Sequence, residues 1–181
     1  SVDGKMLATG DDQGVINLWN TETHASLGVL MGHTAGVINL EFSSDGNLLV
    51  SSGLDHKIII WDLDTQQPIN TPLDSNGAMD LSPDGKILAY GDTNGVPVLF
   101  DVIKYEAIGS PLKEHKWVQE LSFNNDGSIL ASSGSDSDRE TRDSSYNNLI
   151  LWDTTSGRQI GQTIHSSNEG GGVTEFRGIN G

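Results

Sequence analysis

The feature that most constrains this chain is a period. Asp-Gly pairs fall at Asp3-Gly4, Asp45-Gly46, Asp84-Gly85 and Asp126-Gly127, a nearly constant step of about 40 residues. Apolar runs keep the same step, each closing on an aromatic and a polar residue: Leu18-Trp19-Asn20, Ile60-Trp61-Asp62, Leu99-Phe100-Asp101 and Leu151-Trp152-Asp153. The interval from the Asp of each pair to that aromatic is identical in the first three units, Asp3 to Trp19, Asp45 to Trp61 and Asp84 to Phe100. From Asp126 to Trp152 it is longer, so the fourth unit carries an insertion. Self-similarity at such a period means that one small supersecondary unit recurs and buries its faces against its neighbours.

Each unit reads as short strands joined by tight turns, in keeping with 22 glycines and the recurrent Asp-Gly pairs. In the second unit the strands are VINLEF, NLLVSS, KIIIWD and a weaker QQPINT. Ile58-Ile59-Ile60-Trp61 is apolar without a break. Side chains of a strand alternate between faces, so one wet face would leave two of these four in water. The strand is therefore expected to be covered on both sides. β-Branched residues in a short run, closed by Asp62 and Asp64 before Pro68, favour a strand over a buried helical segment.

These phases, with Gly32-His33 opening the unit that Trp61-Asp62 closes, resemble the WD-repeat β-propeller family along nearly the whole chain. The resemblance implies an all-β fold of about four four-stranded antiparallel blades. Residues 1–31 would be an incomplete blade, 32–73 a blade, 74–112 a degenerate blade, 113–164 a blade with an insertion at 135–148, and 165–181 the start of a further one. Family members usually close a ring of about seven or eight blades. The expectation is a fragment of a larger ring, completed by the remaining blades of the same chain, or else a half-ring closed by a second copy.

The resemblance also implies a hydrogen-bonded relay within a blade, made by His33, Ser51, Asp55 and Trp61 and, less perfectly, by His115, Ser132, Asp136 and Trp152. In such a relay the Asp fixes the His tautomer and the Ser hydroxyl bridges to the indole N–H. Ser, His and Asp together also suggest a catalytic triad, but Ser51 lies mid-strand without a strained turn, and the set recurs in another unit. The first unit has Thr9 and Gln13 at the Ser and Asp positions. The third has Tyr90, Asn94 and Phe100, with no His before Met79, and cannot build the relay. Pro97, placed in its third strand, is expected to cause a local bulge.

With 10 Lys and Arg against 25 Asp and Glu, the formal net charge of −15 repels phosphate backbones and anionic lipid, so neither nucleic acid nor membrane is an expected partner. No stretch approaches the roughly 18 apolar residues of a membrane span. The absence of cysteine excludes disulfides and thiolate metal sites. His24, His33, His56, His115 and His165 show no metal-ligand spacing, and Asp136, Asp138, Glu140 and Asp143 lack the Gly and closing Glu of a calcium loop. No catalytic residue, metal or cofactor is expected. Surface remains. Trp117, Asp138, Arg139, Arg142 and Tyr146 are candidate partner-binding residues, on the face where the family docks proteins. The resemblance implies a non-enzymatic, cytoplasmic scaffold for other proteins, in one version the sensor or docking part of a larger multidomain signalling protein. The alternative is a hydrolase or lyase using a propeller's central mouth.

Overall fold

The computed structural model describes residues 1–112, 117–135 and 146–167. The regular elements among them are all strands, arranged as four antiparallel sheets that follow one another in chain order. The first sheet has three strands: β1 (Met6–Gly10), β2 (Val15–Asn20) and β3 (Ser26–Met31). The second contains β4 (Val37–Phe42), β5 (Leu48–Gly53), β6 (Lys57–Asp62) and β7 (Gln67–Pro68). A further short strand, β8 (Leu73–Asp74), also pairs with β6. The third contains β9 (Met79–Leu81), β10 (Ile87–Gly91), β11 (Pro97–Asp101) and β12 (Glu106–Ala107). The fourth contains β13 (Trp117–Phe123), β14 (Ile129–Ser135), β15 (Tyr146–Asp153) and β16 (Arg158–Ser167). Among the described residues the sheets do not close into a ring.

The Asp-Gly pairs make the turns that the period requires. Between β4 and β5, Ser43 Oγ donates to Asp45 Oδ1 at 2.6 Å and accepts the Leu48 amide at 2.9 Å, while Gly46 takes a φ of +73° that suits glycine. The same bonds recur between β9 and β10, where Ser82 Oγ donates to Asp84 at 2.7 Å and accepts the Ile87 amide at 2.9 Å. Between β13 and β14, Asn124 Oδ1 takes the serine's part and accepts from Ile129 at 2.9 Å.

Three apolar layers lie between the four sheets, and they explain the run in β6. Ile58 and Ile60 face the third sheet, packing with Met79, Leu81, Leu88 and Phe100. Ile59 and Trp61 face the first, packing with Ile16, Leu18 and Leu30. The third layer joins Ala89 and Leu99 to Val118, Leu130, Ile150 and Trp152. Burying a side chain of this size stabilises by about 1.5–3 kcal/mol, so strands with two dry faces contribute most per residue. Among the described residues nothing covers the outer face of the first sheet in this way: Leu7 is 52% and Met31 74% exposed, with Val29 also exposed.

Some expectations change. Pro97 produces no bulge, because it is the first residue of β11, opposite Gly91, and the ladder then runs unshifted to Asp101. A missing donor is tolerated at that position. Register shifts occur instead at Leu18/Trp19, Val37/Asn39, Val118/Glu120 and Leu149/Leu151. The expected insertion at 135–148 begins and ends inside the ladder, since Ser135 pairs with Asn147 and Tyr146 with Ser167. Asn148 is buried. β16 runs past residue 164 to Ser167, into the stretch expected to start a further blade, and residues 168–181 lie outside the described residues.

Candidate functional site

The connection from β3 to β4 carries Gly32 and His33, and the turn from β5 to β6 carries Asp55. Leu54 N donates to Gly36 O at 2.8 Å, bringing the two loops together on one face. His33 is only 7% exposed and its ring must find partners inside. Nδ1 lies 3.0 Å from both Asp55 carboxylate oxygens, and Nε2 lies 2.8 Å from Ser51 Oγ. Trp61 Nε1 donates to the same Ser51 Oγ at 2.8 Å. Indole can only donate and carboxylate only accept, so with a neutral imidazole the chain has one direction. Trp61 N–H donates to Ser51, Ser51 O–H to His33 Nε2, and His33 Nδ1–H to Asp55.

Asp55 also accepts the Thr34 amide at 2.9 Å and the Lys57 amide at 3.2 Å. Burial alone would push this carboxyl up, but the Thr34 amide, the His33 ring and the Lys57 amide together hold it below the ordinary carboxylate range. Two glycines leave the room this arrangement needs. A Cβ on Gly53 would stand 2.6 Å from His33 Nδ1 and 2.7 Å from Asp55 Oδ1, and one on Gly32 would stand 2.8 Å from the Trp61 ring. Ser51 is fully buried between indole and imidazole, so its hydroxyl is not placed to attack a substrate.

The other sheets keep parts of this pattern. Trp152 Nε1 donates to Ser132 Oγ at 2.7 Å in the fourth sheet, while His115 and Asp136 lie outside the described residues. In the first sheet Trp19 Nε1 donates to Thr9 Oγ1 at 3.0 Å. The third sheet uses other means. Phe100 meets Tyr90 and Tyr105 edge to face, with ring centroids 6.2 and 5.0 Å apart. In place of a His, Ser75 Oγ donates to Gly91 O at 2.9 Å and Asn76 Nδ2 to Val118 O at 2.7 Å, joining the third sheet to the fourth.

Of the candidate partner-binding residues, Trp117 opens β13 and packs over the turn at Gly95, where a Cβ would come within 2.5 Å of its ring. Tyr146 opens β15. Asp138, Arg139 and Arg142 lie outside the described residues. Among the described residues no three His, Asp or Glu side chains gather as metal ligands, and no helix is long and apolar enough to cross a membrane.

Two acids that the relay does not use each tie one sheet to the next. Glu41 Oε2 on β4 accepts the Leu81 amide of β9 at 3.0 Å, and Asp80 Oδ2 on β9 accepts the Phe123 amide of β13. Burial, then the charge and hydrogen bond of Asp80, push the Glu41 carboxyl up to about 8, and burial raises Asp80 as well. A signal was available. Glu41 and Asp80 stand one repeat apart, at the same step as Asp45 and Asp84, each flanked by apolar residues.

The profile of the WD domain, G-beta repeat family matches residues 25–62 and 107–139, the first match running from β3 through β6 with the whole relay of the second sheet inside it. The chain belongs to the WD-repeat family. It is similar to the WD repeat-containing protein SL1-17 of Schistosoma mansoni, 35% identical over 133 residues, which is 70% of this chain and 44% of that protein. It is also similar to COMPASS component SWD3 of Saccharomyces cerevisiae, 31% identical over 127 residues, 66% of this chain and 39% of that one. Polycomb protein esc of Drosophila virilis is 38% identical over 66 residues, 35% of this chain and 16% of its own length. This WD-repeat chain thus spans less than half the length of each of these relatives.

Proposed function

We propose that this WD-repeat chain is a non-enzymatic scaffold that holds other proteins on the face carrying the His33 and Asp55 loops. The observation that carries the reading is the relay itself. It commits a buried His, Ser, Asp and Trp to fixing the loops at 32–36 and 54–56 rather than to an accessible reacting group. Rigid sheets that present fixed loops are suited to recognition. A relative that is a component of COMPASS, 31% identical, supports protein partners. A docking role in a larger signalling protein is the finer form of the same reading.

By position in the repeat, the connection between β14 and β15 corresponds to the turn between β5 and β6 that carries Asp55. The test replaces residues 138–145 with Gly-Gly and, separately, changes Trp117→Ala, in the full-length protein. Melting temperature and recovery of co-purifying proteins are compared with the unchanged chain. Preserved melting with partners lost from either variant is the expected result. Full recovery of all partners from both variants would refute this face as the docking surface.

A further inference from the structure

The second, third and fourth sheets each begin with a strand for which the first sheet has no counterpart among the described residues. β4, β9 and β13 pair with β5, β10 and β14, whereas β1 pairs with β2 alone. Register fixes what the open edge of β1 presents. Asp11 N donates to Val15 O and Thr21 N to Lys5 O, each at 3.0 Å, and alternate pairs exchange bonds, so the Ala8 N–H and C=O turn away from β2. At the matching place in the second sheet, Val50 is paired with Glu41 of β4.

A backbone amide marks the same place. Phe42, Leu81 and Phe123 hold one position on the three first strands, opposite Leu49, Leu88 and Leu130, and their N–H groups turn away from their own sheets. Leu81 N donates to Glu41 of the preceding sheet at 3.0 Å, and Phe123 N donates to Asp80 of the sheet preceding it. For Phe42 the preceding sheet is the first, and the described residues place no acceptor there. The series calls for an acid on a strand beside β1, opposite Ala8.

The two ends of the stack are complementary as well. Leu7 and Trp19 of the first sheet, with exposed Met31 on the same side, match Leu49 and Trp61 of the second, which the first sheet covers. Leu149 and Leu151 of the fourth sheet, with exposed Ile164 beside them, match Ile58 and Ile60 of the second, which the third covers. The open faces are thus the two halves of a layer that recurs three times inside the chain.

We infer that the first sheet of one copy takes residues 173–176 of a second copy as its first strand, with Glu175 opposite Ala8 and accepting the Phe42 amide. These residues lie outside the described ones, and their sequence and place in the chain make the match. Glu175-Phe176 repeats Glu41-Phe42, as Asp80-Leu81 does with another apolar residue. The segment follows β16 as β4 follows β3, and the chain leaving one sheet supplies the first strand of the next. The first and fourth sheets of one copy stand at opposite ends of the stack, with the second and third between them, so the recipient is another copy. Strand addition gives the backbone bonds, and the donor's fourth sheet closes over the recipient's first.

The chain has no cysteine, so introduced thiols report on this contact alone. Thr9→Cys and Thr174→Cys are prepared as separate variants of the full chain, mixed and oxidised. Residue 174 should face residue 9 as Leu40 faces Ser51, in a pair without mutual hydrogen bonds whose spacing a disulfide can bridge. Mass spectrometry should find the two different copies linked. Ala8→Cys, whose side chain points to the opposite face, should link to Thr174→Cys far less. The double variant Thr9→Cys, Thr174→Cys should link between copies and not close within one. Hydrogen-exchange protection of the Phe42 amide should fall about tenfold in Glu175→Ala, and clearly less in Glu175→Gln, which keeps an acceptor. No preference for position 9 over position 8, closure within a single copy, or Phe42 protection indifferent to Glu175→Ala would each overturn the inference. So would a single-copy mass of the unchanged chain at every concentration, a measurement that needs no variant to fold.

Discussion

Replacing Asp55 by Ala removes the acceptor at the end of the relay. Three donors lose it: His33 Nδ1–H at 3.0 Å, and the amides of Thr34 and Lys57 at 2.9 and 3.2 Å. Thr34 is exposed and Lys57 half-exposed, so water can serve both, whereas the His33 ring is buried beside Ser51 and cannot be reached without opening the loop. Leaving one buried donor unsatisfied costs about 1–3 kcal/mol. With a urea slope of about 2 kcal/mol per molar, the unfolding midpoint should fall by about 1 M. Tryptophan fluorescence is a suitable probe because Trp61 lies at the other end of the relay. Asp92 is a poor control, since it accepts the amides of Asn94 and Val96 at 2.8 and 2.9 Å. Asp64 is exposed and serves better. Asp55→Asn keeps an acceptor and should lose clearly less than Asp55→Ala. Equal midpoints for Asp55→Ala and Asp64→Ala would show that the His33–Asp55 contact does not stabilise the fold.

Gly53→Ala should be about as harmful, at about 1–3 kcal/mol by urea unfolding, because its methyl would overlap both His33 and Asp55; a neutral result would mean the loop yields without cost. Asp55 is held below the ordinary value of 3.8, so its contribution is complete above that value and fades as pH falls through its folded value. The unchanged chain should therefore lose more stability than Asp55→Asn between about pH 5 and about pH 3, measured as the difference in urea midpoints. The exposed Leu7 and Met31 should drive self-association of the chain, and the double change Leu7→Lys, Met31→Lys should lower the mass seen by light scattering; an unchanged mass would place the sticky surface elsewhere.

What could be read in the sequence was whatever repeats. The period located the four sheets, and the unbroken run at Ile58–Trp61 signalled two dry faces because alternation leaves no other use for it. His33, Ser51, Asp55 and Trp61 were legible only through the family resemblance that the phase supports. The third sheet was not, because Ser75 and Asn76 make their bonds from an irregular connection to backbone atoms, and such bonds leave no residue pattern. Pro97 misled through its position: one place earlier in a strand than a ladder donor is needed, proline is harmless. Glu41 and Asp80 were passed over because an acid between two apolar residues looks like the wet side of an alternating strand, and only the adjoining sheet, whose amide each accepts, partly covers that side.

The sequence repeat and the folded sheet are out of step. The segment 25–62 supplies the outer strand β3 of the first sheet and the three leading strands β4, β5 and β6 of the second. No repeat is therefore a detachable part, and cutting one out would strip two sheets at once. A tension applied to the chain must likewise cross from sheet to sheet inside each repeat, so the load is carried by covalent links as well as by the apolar layers. The molecule is built like overlapping roof tiles, where every joint in one course is bridged by a piece of the next.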